Sequence, residues 1–156
     1  MVLHAFLAQR IGDALGIARV NIDTIEKARG TLIEMFGEAR VSEMMLAHKG
    51  QAEKLNEVMI KTQTLNTSVP QAESFVAKLF GMRDHFVSGK WNDKLALSKW
   101  LAFIEGAALT HWRVLHSVAL QTTNSELMEL AQRYIGFHQS MYDQNTSFMQ
   151  RYASQL

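Results

Sequence analysis

Apolar side chains return every three or four positions along nearly the whole chain, the spacing of one face of an α-helix. The first stripe reads Leu3, Leu7, Ile11, Ala14, Ala18, Ile22 and Ile25, and predicts a long helix ending near Arg29–Gly30. Thr31–Phe36 reads as a further helical turn or a continuation, closed by Gly37. Gly12 and Gly16 weaken this helix by about 1 kcal/mol each relative to Ala. A second stripe, Val41, Met45, His48, Ala52, Leu55, Met59 and Thr62, fails at Leu65–Ser68. Pro70 suits the first turn of a new, shorter helix over about 70–87, where its missing N–H costs nothing. Asn92 or Asp93 can cap the next long helix, whose stripe is Leu97, Leu101, Ile104, Ala108, His111, Leu115 and Val118. Thr123 and Glu126 have capping-box spacing at the head of the last helix. Leu127, Leu130, Ala131, Tyr134, His138, Met141, Asn145, Phe148 and Tyr152 carry it almost to the end.

Four helices of about 25–30 residues extend roughly 37–45 Å each. Matched lengths and a short final link predict one all-α domain over residues 1–156, an antiparallel four-helix bundle. The short helix provides the connection between helices two and three. Composition agrees: one Pro in 156 residues leaves little of the turn chemistry that β-rich domains need. The absence of Cys excludes disulfides, thiolate metal sites, a Cys nucleophile and covalent haem attachment. A net charge of +1 gives no broad field for nucleic acid or anionic lipid. His4, Gln9 and Arg10 interrupt the opening apolar run, and no stretch reaches membrane-spanning length. The expected location is the cytoplasm.

In a bundle the chemistry sits on core-facing positions, so polar residues inside the stripes are the candidates. Four stand out: His48 on the second helix, Glu105 and His111 on the third, and His138 on the last. Glu105, among Leu101, Ile104, Ala108 and Trp112, is costly to bury without a partner. Imidazoles and a carboxylate on separate helices suit iron, manganese or zinc. The same residues also suit a metal-free network of hydrogen bonds with Tyr134 or Asn145. The nine Met read as core filler. Trp91, Trp100 and Trp112 read as packing around the third helix or as the heart of a homodimer interface. Glu57 and Lys61 form an i,i+4 pair on a solvated face. No phosphate loop, dinucleotide turn, H-E-x-x-H helix or nucleophile elbow occurs.

The segments Ala47–Val58 and Phe103–Leu115, with the order of elements around them, resemble the bacterial ferritin-like stress proteins of the YciE/YciF type. The resemblance implies a ferritin-like bundle, a metal centre and a role in stress. Ferritin-like di-metal sites take one Glu from each of two helices and a Glu-x-x-His from each of the other two. Here Met45 precedes His48 by three positions and Ile135 precedes His138, so both motifs lack their carboxylate. The first helix offers Leu15, Ala18 and Ile22 in its core stripe and no acid. A mononuclear or degenerate site at His48, Glu105, His111 and His138, or no metal at all, is therefore expected. The competing readings are a non-catalytic bundle that dimerises or binds a partner, and a haem or apolar-ligand pocket with a His ligand. Substrate and reaction are not written in the sequence.

Overall fold

A computed structural model describes residues 2–156, and these form an all-α protein of five helices. They are α1 (Val2–Phe36), α2 (Glu38–Thr62), α3 (Leu65–Val87), α4 (Lys94–Gln121) and α5 (Ser125–Ser154). The helices pack as a bundle in which α1 lies against α2, α3 and α4, while α5 pairs chiefly with α4. No helix among the described residues is long and apolar enough to cross a membrane.

α1 continues through Gly30 to Phe36 and bends at Ala28, where φ −113° and ψ 17° leave helical values. Gly37, at φ 88°, turns the chain directly into α2. The Asp93 side chain caps α4 by accepting from the Ala96 N–H at 3.0 Å. At α5 the expected Thr123–Glu126 capping box does not form. Asn124 is the cap instead, accepting from the Leu127 N–H, and Thr123 takes φ 51° in the preceding turn. Glu126 reaches across to Lys61 at 2.9 Å, so Lys61 is not the partner of Glu57, which pairs with Lys54.

α3 departs most from expectation. It begins at Leu65, five residues before Pro70, and at 23 residues is nearly as long as α2. Pro70 lies past the first turn and leaves the Asn66 carbonyl without its helical donor, but both residues are exposed and water can replace it. α3 runs alongside α1 in the same direction. Ser68 donates to the Ala8 carbonyl at 2.7 Å, Gln71 to Asp13 at 2.8 Å and Arg83 to Thr24 at 2.9 Å. Gly12 makes this approach possible. A Cβ there would stand 2.6 Å from the Ser68 carbonyl oxygen and 2.7 Å from the Gln71 Cβ.

Two apolar clusters fill the interior. One contains Leu7, Ile11, Leu55, Trp112, Leu127 and Tyr134. The other contains Ile17, Met44, Leu79, Leu101, Ile104 and Met141. Along α2 and α5 the buried polar residues Gln51 and His138 fall where one cluster gives way to the other, and on α4 Glu105 lies near the end of the second cluster.

Candidate functional site

α2 buries Val41, His48, Leu55 and Met59 as its spacing predicts, but its face is shifted between them. Met44 and Gln51 are buried where Met45 and Ala52 were expected, which places Gln51 one turn after His48. α4 brings Glu105 and Trp112 inward, two turns apart, and α5 brings His138 to meet them. His138 Nδ1 lies 2.5 Å from Glu105 Oε2, and its Nε2 lies 3.0 Å from Gln51 Oε1. Trp112 Nε1 donates to the same Gln51 oxygen at 3.2 Å, and Gln51 Nε2 faces His48 Nδ1 at 3.5 Å.

The direction of every bond follows from Trp112. An indole N–H only donates, so the Gln51 atom facing it is the carbonyl oxygen. His138 Nε2 meets that same oxygen and must donate to it. The Gln51 amide nitrogen then points at His48 Nδ1, which must accept, so His48 carries its proton on Nε2. A single proton lies between Glu105 Oε2 and His138 Nδ1. A protonated His48 would set a donor against a donor. Burial pushes the His48 pKa well below 6.5, and the nearby positive charge of His138 pushes it further the same way. The His48 ring lies 5.8 Å from that of His138 and edge-on to Phe137.

His111 is not part of this group. It is half-buried and faces α1, with Nδ1 2.8 Å from the Ala107 carbonyl and Nε2 3.5 Å from Asp13. Asp13 is a buried acid on α1, the helix on which no core carboxylate was expected. Arg10 donates to it at 2.9 Å and Gln71 at 2.8 Å. Burial alone would lower the His111 pKa, but the bonds to Asp13 and the Ala107 carbonyl reverse the effect and raise it. Burial would raise Asp13, and the donors His111, Gln71 and Arg10 bring it below 3.8 instead. The periodicity of α1 hid Asp13, because Gly12, Asp13 and Gly16 lie between its stripe positions and are buried by α3 and α4.

The other polar candidates separate as well. Asn145 binds Ser98 twice, accepting from its hydroxyl and donating to its carbonyl, both at 2.9 Å. Tyr134 packs on Trp112, with ring centroids 5.1 Å apart. The three Trp do not cluster: Trp100 stacks with Phe103, Trp91 covers Arg83, and Trp112 joins the Gln51 chain. Trp100 and Trp112 are buried within the chain, which removes both from the expected dimer surface.

Glu105, His138 and His48 come from three helices and reach one place. A di-metal centre does not fit them, because the place has one carboxylate and a glutamine stands between the imidazoles. Among the described residues, no three His, Asp or Glu side chains form a group able to hold a metal ion. No known protein family, curated protein or solved structure matches the chain.

Proposed function

We propose that this chain is a non-catalytic helical-bundle protein that acts by binding another protein, with α1, α2, α4 and α5 as a ferritin-like four-helix core. α3 fills the connection between α2 and α4. On this reading the Trp112–Gln51–His138–Glu105 chain locks three helices in register and needs no metal. The observation that carries it is the double engagement of His138: both ring nitrogens already have protein partners inside the core. No lone pair of that ring is left for a ligand. Three surface clefts support the same reading, since none of their walls includes Trp112, Gln51, His138 or Glu105.

Elemental analysis of protein purified after growth with iron, manganese and zinc tests this directly. The expected content is far below one ion per chain, and added divalent ions leave Tm unchanged. A stoichiometric metal overturns the reading.

One observation favours a second reading, a mononuclear Fe, Mn or Zn site. Glu105, His138 and His48 are brought together from α4, α5 and α2, and a swing of Gln51 would free both rings. In that case Gln51→Ala raises metal affinity. The stress role remains tied to the family resemblance, and sedimentation of the purified chain tests the homodimer.

A further inference from the structure

The corner where α3 turns into α4 carries features that the core does not use. Met82, Phe86 and Phe103 remain 37%, 36% and 39% exposed. Phe86, buried Trp100 and Phe103 form a continuous aromatic group, each pair of ring centroids 5.8 Å apart. Beside it, Ser88 at φ 50° and Gly89 at φ 72° reverse the chain. The reversal leaves a cleft of about 200 Å³ with Phe86, Leu95 and Ala96 among its walls and Lys90 and Lys99 at its edge.

Lysines predominate at the edge of the cleft. Of the eight lysines, Lys27, Lys54, Lys61 and Lys94 have a carboxylate partner among the described residues. Of the other four, Lys78, Lys90 and Lys99 all lie on α3, the turn after it and α4, and all are exposed. The acids on these elements that are not buried are Glu73 and Asp84, both exposed on α3, and Asp93 at the head of α4. Asp93 also lines the cleft, but its Oδ1 is committed to capping α4. A cleft beside exposed aromatic rings, with two unpaired lysines at its edge and its one acid engaged as a helix cap, matches a partner with apolar side chains and negative charge.

We propose that the α3–α4 corner is the docking site for an acidic amphipathic helix of the partner protein. One large apolar side chain enters the cleft beside Phe86, its neighbours cover Met82 and Phe103, and its carboxylates meet Lys78, Lys90 and Lys99. The proposal rests on the partner-binding reading above and gives that partner its chemistry.

The test is titration of the full chain with a synthetic helical peptide bearing Leu and Phe on one face and Glu on the other. A peptide with Lys in place of Glu is the control. The readouts are calorimetry and the fluorescence of Trp91 and Trp100. The Glu peptide should bind at least about tenfold more tightly than the Lys peptide, and lose that advantage in high salt. Lys90→Glu/Lys99→Glu, both surface changes, should reverse the preference between the two peptides. Phe103→Ala should weaken binding without altering the preference. No binding, equal binding of both peptides, or indifference to the lysine reversal overturns the proposal. So does tight binding to anionic phospholipid vesicles that the Glu peptide fails to displace, or self-association abolished by the lysine reversal. These failures leave the metal-free reading standing, whereas a stoichiometric metal removes that reading without touching this corner.

Discussion

Gln51 connects residues that would otherwise be separate buried polar groups. Its oxygen accepts from both Trp112 and His138, and its nitrogen faces His48. Gln51→Leu orphans two buried donors at about 1–3 kcal/mol each, a loss readable as a lower urea midpoint. Glu105→Leu strips His138 of its carboxylate and should cost about 3–5 kcal/mol. Replacing Glu105 and His138 together by Leu should cost less than Glu105→Leu alone, because no uncompensated group stays buried. Glu105 and His138 were visible in the sequence as polar residues on apolar stripes. Gln51 was not, since the stripe through His48 admits two phases one residue apart, and only packing against α4 and α5 chooses between them. Asp13 escaped for a related reason: α1 is buried on more than one side, and a helix enclosed that way has no single face to read.

At the scale of elements, glycines divide by what surrounds them. Gly12 sits where α1 and α3 touch, and Gly136 sits on the exposed side of α5 with nothing within 4 Å of an added Cβ. Gly136→Ala should therefore stabilise by up to about 1 kcal/mol through helix propensity alone. Gly12→Ala gains the same propensity yet should destabilise by about 1–3 kcal/mol, because the Ser68 carbonyl must move. Thermal unfolding of the two variants should shift in opposite directions. In the sequence both glycines carry the same propensity penalty, because the contact that makes one indispensable comes from a helix about sixty residues away. Helix ends followed a similar rule. The Asp93 cap was legible because its partner lies three residues on, whereas the start of α3 was masked by Pro70, a signal stronger in isolation than in a packed helix with a solvated flank.

For the whole molecule, two histidines pull stability in opposite directions with pH. His48 has a lowered pKa, so below about pH 6.5 the unfolded chain takes up a proton that the folded core refuses, and stability falls with acid. The slope from this one group is at most about 1.4 kcal/mol per pH unit. His111 has a raised pKa, so its contribution is complete below its unfolded value and is lost as pH rises through the folded one. Denaturant titrations between pH 5 and 8 should show His48→Leu flattening the acid limb and His111→Ala flattening the neutral-to-alkaline limb. A fold whose two apolar clusters meet at a polar layer also resists slippage, since a one-turn shift of α5 would part His138 from both its partners.

The enclosure of α1 by α2, α3 and α4 has a consequence for the growing chain. α1 leaves the ribosome before α4, yet residues 11–18 are buried without a break in the finished fold. At ordinary elongation rates that continuous surface waits on the order of ten seconds for its last cover. Nascent chains halted before Lys94 should thus be captured by chaperones that bind exposed apolar segments and cut readily within α1, and chains halted well beyond Gln121 should escape both.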